Sequence, residues 1–192
     1  MTALCARIGR RELLALALVS ACRRDPPLPV LGRVPPFALK DQRGRPLGSA
    51  ELSGKPWVAA FMFTRCPTIC PRITRRMREL QMDAKAKGIP LRLVSFSVDP
   101  ETDTPEVLRA YAERFGVDQA SWSFLTGQLE VVQKTAVDGF KMALENSPGA
   151  EPESILHGSH LVLVDSKLGL RGYYRSESPE ETARLLVDFG RV

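Results

Sequence analysis

An α/β fold with a central mixed sheet flanked by helices is predicted by three features of this sequence. An apolar run at residues 57–63 leads straight into Cys66-Pro67-Thr68-Ile69-Cys70-Pro71, and a helical pattern follows at once. Strand-like and helix-like segments then alternate as far as residue 140. A last apolar run, Leu161-Val162-Leu163-Val164, precedes a turn, a second strand-like segment and a closing helical pattern. The 192 residues, 44% hydrophobic and 26% charged, suffice for one globular domain with a proper core. The formal charge of +5 is a mild excess and contains no basic block, so nucleic acid is not an expected partner.

A strand that ends in a cysteine turn and restarts as a helix is how a thioredoxin-like domain displays its sulfurs, and the element order fits that fold. Residues 37–39 read as a short strand, 41–45 as a turn and 57–63 as a buried strand. Ile73, Met77, Leu80 and Ala84 share one helical face, opposite Arg72, Arg75, Arg76, Arg78 and Glu79, and Gly88 and Pro90 stop that helix. Residues 91–98 form a second strand. Thr104 is a natural N-cap with Pro105 in the first turn, for a helix that carries Leu108 and Tyr111 and stops at Gly116. A short element at 121–126, a helix over 129–140, a loop at 147–154, a strand over 155–165, its hairpin partner at 170–174 and a helix over 179–189 complete the domain.

The first residues read as a targeting device. Arg7, Arg10 and Arg11 precede a short apolar stretch at 13–21, too short to span a bilayer, and small residues lead to Cys22. Residues 1–21 are therefore expected as a lipoprotein-type signal peptide, with Cys22 the lipidated first residue of the mature chain; an uncleaved signal anchor is the alternative. Residues 22–36, rich in Pro and Arg, are expected as a tether, and 37–192 as the folded domain. The chain would then face the periplasm of a bacterial cell envelope, held to the membrane.

With Cys5 in the signal and Cys22 lipidated, Cys66 and Cys70 are the thiols of the domain. A disulfide closing so short a loop would constrain little, so redox or metal chemistry is the better reading. Backbone N–H groups at a helix start favour thiolate. Two thiolates are soft ligands that select Cu(I), or zinc with further ligands. Three residues separate the sulfurs, against two in a thioredoxin-type redox pair, and the wider spacing suits a chelate. A peroxiredoxin resembles the 63–68 run, but that family has Thr three residues before its cysteine, where this chain has Phe63. Two cysteines under-coordinate a transferable copper ion, and only two histidines exist, His157 and His160. They are three residues apart, so on a strand they face opposite ways and at most one can face the cysteines.

The sequence resembles the Sco/SenC family of copper proteins that help to assemble cytochrome c oxidase. The resemblance is carried by residues 63–71, by Asp99-Pro100-Glu101-Thr102-Asp103-Thr104-Pro105-Glu106, by residues 111–116 and 122–127, and by the strand that contains His157. The family's ligand histidine stands eight residues before the turn that follows its strand. Counting back from Asp165 gives His157, leaving His160 to face elsewhere. The resemblance thus implies a thioredoxin-like domain binding copper, as Cu(I) and in some states Cu(II), through Cys66, Cys70 and His157. Its partner would be the CuA-bearing subunit of cytochrome c oxidase, with other periplasmic copper carriers or thiol reductants as further partners. Thr68 and Leu156 stand where the family often has Asp, which leaves fewer carboxylates near the metal. Asp99 and Asp103 could approach the site, but turn and cap roles are the preferred reading. A metallochaperone is expected rather than an enzyme. The alternatives are a thiol–disulfide reductase that uses Cys66 and Cys70 as its catalytic pair, and a general copper buffer or redox sensor.

Overall fold

The computed structural model describes residues 26–142 and 159–192. The domain is a mixed sheet covered on both faces. Its strands are β1 (Gly32–Arg33), β2 (Ala38–Asp41), β3 (Pro46–Gly48), β4 (Trp57–Met62), β5 (Leu93–Ser97), β6 (Trp122–Thr126), β7 (His160–Val164) and β8 (Gly169–Arg175). Its helices are α1 (Ser49–Leu52), α2 (Ile69–Ala86), α3 (Pro105–Arg114), α4 (Leu129–Lys134) and α5 (Pro179–Phe189). The spatial order is β1-β8-β7-β4-β5-β6-β2-β3. β4, β5 and β6 run parallel, joined by α2 and α3, while β7 lies antiparallel to β4 and forms a hairpin with β8. This is the thioredoxin-like arrangement expected.

β4 is central, and all six of its residues are buried. Strand alternation sends Val58, Ala60 and Met62 to the face covered by α2, α3 and α5, and Trp57, Ala59 and Phe61 to the other. On the first face Ile73, Met77, Leu80 and Ala84 of α2 are all buried, as their spacing predicts. The opposite face holds an aromatic cluster. Phe61 stacks on Phe96 with centroids 5.0 Å apart, and Phe140 meets Phe61 edge-on at 5.2 Å. This layer stiffens β4 from behind.

The punctuation follows the expected chemistry. The Thr104 hydroxyl accepts from the N–H of Val107 at 3.4 Å, with Pro105 opening α3. Gly116 ends that region at φ 61°, where a side chain would be strained. The Asp165 carboxylate accepts from the N–H groups of Lys167 and Gly169, both at 2.8 Å, and so shapes the β7–β8 turn. Helical structure over 129–140 is found with a change of pitch: α4 gives way to a π-turn at Thr135–Gly139. The expected loop at 147–154 and the start of the 155–165 strand lie outside the described residues.

The Pro/Arg-rich stretch differs from a free tether. Its described part, residues 26–36, lies along the domain. The N–H groups of Leu31 and Val34 donate to the carbonyls of Leu170 and Leu168 at 2.8 and 2.9 Å, and β1 pairs with β8. Arg171 and Arg191 donate to the carbonyls of Leu28 and Pro26. Val34 is buried, and Pro35 packs so closely on Gly139 that a Cβ there would stand 2.4 Å from Pro35 Cδ. The strap covers what would otherwise be the open edge of β8. A chain beginning at residue 37 is therefore expected to be less stable than one beginning at 26, by about 3 kcal/mol from the loss of Val34 and part of Leu28. Urea denaturation of the two checks this, and coincident midpoints would contradict it.

Candidate metal and thiol site

The site grows out of the end of β4. After Met62 the chain leaves the sheet and turns back at once, with the N–H of Cys66 donating to the carbonyl of Phe63 at 3.2 Å. Two residues of the turn are held by the loop after β5. The N–H of Thr64 donates to the Asp103 carboxylate at 3.1 Å, and the Thr64 hydroxyl donates to the same carboxylate. Ser97 Oγ, at the end of β5, donates to it at 2.5 Å. On the outer side Arg65 pairs with Asp99 at 2.7 Å. Asp103 is fully buried, and among the described residues it has no ion-pair partner. Its charge is stabilised by these three donors.

Cys66 lies in the turn and Cys70 in the first turn of α2, both as free thiols. The N–H of Cys70 donates to Cys66 Sγ at 3.3 Å, so the Cys66 sulfur takes the place of an N-cap oxygen, a bond the Thr68 side chain does not make. Pro71 is tolerated at the third helical position because the N–H it lacks would have had no partner inside the helix. Behind Cys70, the Thr74 hydroxyl donates to the Cys70 carbonyl at 2.9 Å and shares a hydrogen bond of 2.8 Å with the Tyr111 hydroxyl.

The two sulfurs are electrostatically unequal. Burial works against ionisation of Cys66, but the N–H of Cys70, the Cys70 thiol and the N–H groups of Thr68 and Ile69 together hold it below the ordinary thiol value. Burial pushes Cys70 up to about 12, aided by the Cys66 thiolate and the Asp103 carboxylate. Cys66 lines a surface cavity, whereas Cys70 lies behind it at 3% exposure. The pair therefore offers an outer sulfur that ionises more readily than an ordinary thiol and an inner thiol that gives up its proton only to a strong competitor such as a soft metal ion.

His157 lies outside the described residues. His160 opens β7, and strand alternation sets it on the side of Val162, opposite Leu161, which belongs to the same apolar cluster as both cysteines. β7 is antiparallel to β4, with Ala59 opposite Val162 and Trp57 opposite Val164, so the start of β7 lies beside the end of β4, where the cysteine turn begins. Among the described residues no group of three or more His, Cys, Asp or Glu is placed to hold a metal ion. Asp103, for which turn or cap chemistry is the preferred reading of the sequence and approach to the site the alternative, does reach the cysteine turn. Its N–H closes the turn on the Asp99 carbonyl at 2.9 Å while Thr104 caps α3, but the contact of its side chain with Thr64 spans 39 residues and leaves no local signature.

Fold and site define a thioredoxin-like protein with two free cysteines at a helix start, separated by three residues. The chain belongs to the SCO1/SenC family, whose model matches residues 31–187. A Stutzerimonas stutzeri protein described as copper-binding is 33% identical over 154 residues, 78% of this chain and 72% of its own. The crystal structure of a SCO1/SenC family lipoprotein from Bacillus anthracis superposes with a TM-score of 0.76 at 34% identity, covering 89% of this chain and 98% of that one. BsSco, described as having a disulfide switch and as a member of the Sco family of cytochrome c oxidase assembly proteins, superposes at 0.75 with 32% identity, covering 86% and 97%.

Alkylation of the reduced protein at neutral pH is expected to modify Cys66 well before Cys70. A lowered pKa means that the thiolate is reached at lower pH, so the rate at Cys66 should rise through a midpoint below that of a free thiol. Peptide mass mapping over a pH series checks this, and faster modification of Cys70 would contradict it. Asp103→Ala removes the acceptor of three partly buried donors and should cost about 3 kcal/mol of stability.

Proposed function

We propose that this protein is a copper chaperone of the cell envelope, which takes copper on Cys66, Cys70 and His157 and delivers it to the CuA-bearing subunit of cytochrome c oxidase during assembly. The observation that carries this reading is the convergence of two thiols on one helix start, with the N–H of Cys70 on Cys66 Sγ, at the end of β4 beside which β7 begins. The segment that contains His157 leads into that strand, which makes it a natural source of a third ligand. The thiolates suit Cu(I). A histidine from a different element from the cysteines would let the ligand set open one ligand at a time, as transfer by ligand exchange between thiolates requires. The copper-binding relative and the oxidase-assembly description of BsSco support the cargo and the pathway. Lipidation at Cys22, or an uncleaved signal anchor, would hold the chain to the membrane facing the periplasm, in keeping with the lipoprotein relative. Other copper carriers or thiol reductants of that compartment would load or reduce it.

A second reading rests on the inequality of the cysteines. An outer sulfur of lowered pKa backed by a protonated inner one is the arrangement of a thiol–disulfide reductase. Cys66 would attack a disulfide of the copper-accepting subunit, form a mixed disulfide with one of its sulfurs and release the other as a thiolate. Cys70 would then displace the second subunit thiol, leaving a Cys66–Cys70 disulfide for an external dithiol to reduce. The disulfide switch described for BsSco supports the redox competence of such a pair. A general copper buffer or redox sensor would use the same thiols without an oxidase partner.

Copper titration of the reduced protein separates these readings. A single copper per chain is expected, bound more weakly after His157→Ala or Cys70→Ser and unchanged after His160→Ala. A redox-active cysteine pair with no bound copper would move the assignment to the reductase. Normal copper content of the oxidase in a deletion strain would contradict delivery.

A further inference from the structure

The cavity that Cys66 lines has a volume of about 690 Å³, and its wall comes from the cysteine turn and two helices. α2 supplies Arg75, Arg78 and Glu79, while the end of α3 supplies Arg114 and Phe115. Among the described residues none of the three arginines has a carboxylate partner, and Glu79 is already engaged by Arg76 at 2.6 Å. The guanidinium groups are held in place without being neutralised. Arg78 donates to the carbonyl of Gly116 at 3.1 Å. Arg75 and Arg114 stand over the Phe115 ring at 5.9 and 5.3 Å, and Arg114 also covers Tyr111 at 5.1 Å. Stacking fixes the plane of a guanidinium and leaves its N–H edge for a carboxylate.

A solvated helix face would explain the arginines of α2 alone. It does not explain a third arginine brought from α3 to the same opening, with an aromatic ring between them, next to the outer sulfur. Arginine and aromatic side chains around a pocket form the composition of a protein-binding hot spot, and three fixed cations set its sign.

We propose that this cavity is the docking site for an acidic segment of the protein that exchanges copper or sulfur ligands with Cys66. Carboxylates of that segment meet Arg75, Arg78 and Arg114, an apolar side chain rests on Phe115, and the partner's cysteine is brought to Cys66 Sγ. The proposal rests on Cys66 as the exchanging sulfur, which the chaperone and reductase readings share, so it stands or falls apart from copper binding.

The test is the rate at which the reduced Cys70→Ser protein reacts with peptides that carry one cysteine as a 2-thiopyridyl disulfide, flanked by Glu, Gln or Lys. The Cys66 thiolate attacks the peptide sulfur. The Cys66–peptide bond forms as the peptide–thiopyridine bond breaks, and 2-thiopyridone leaves with the electron pair. At low ionic strength the Glu peptide is expected to react about tenfold faster than the Lys peptide, and added salt should shrink the ratio. The double change Arg75→Glu with Arg114→Glu should reverse the preference. The same change in net charge at Lys55→Glu with Lys87→Glu, away from the cavity, should leave it. Equal rates for the three peptides, or equal erosion by both double changes, would overturn the proposal. So would loss of the preference in inorganic phosphate too dilute to alter ionic strength, which would mark a small-anion site instead.

Discussion

A buried carboxylate holds the working end of this molecule together. Asp103 accepts from Thr64 in the cysteine turn and from Ser97 at the end of β5, and stands immediately before the capping residue of α3. The cysteine turn is thereby fixed, across 39 residues of chain, to the segment between β5 and α3, at the ends of the two central strands. The arrangement is stable because the donors supply what water would have supplied, so the charge needs no buried cation. Without it, the turn between β4 and α2 would be anchored by the Arg65–Asp99 pair, which lies on the exposed side and is worth little.

Given that anchor, the chemistry follows from the helix start. The first N–H groups of α2 need acceptors, and Cys66 Sγ provides one. The same bond draws the outer sulfur toward thiolate, while burial keeps the inner one protonated. A rigid aromatic layer lies behind β4, and a soft, buried sulfur pair, of which Cys66 lines the surface cavity, lies in front of it. Rigidity in the base with one sulfur opening on a surface cavity is what exchange with another protein requires, for a metal or for a disulfide.

Much of the fold was legible because its signals are local. The apolar spacing of Ile73, Met77, Leu80 and Ala84, the Thr104-Pro105 start and the buried run of β4 each identify an element from neighbouring residues, and α5 spans the expected residues. What was not legible depends on contacts across the chain. Residues 26–36 have a linker's composition, and only the unpaired edge of β8 turns them into a strap. Asp103 reads as a loop residue until Thr64 is brought to it. Arg75 and Arg78 read as a solvated helix face until α3 places Arg114 and Phe115 opposite them. The sulfur pair itself was visible from spacing, whereas its inequality depends on how deeply each sulfur is buried, which spacing does not encode.

The central claim is that the two sulfurs and one imidazole form a single copper site. X-ray absorption at the copper edge of the reduced, Cu(I)-loaded protein tests it most directly. The account predicts a first shell of two sulfurs and one imidazole nitrogen, with the nitrogen lost in His157→Ala. A sulfur-only shell that His157→Ala leaves unchanged would contradict it.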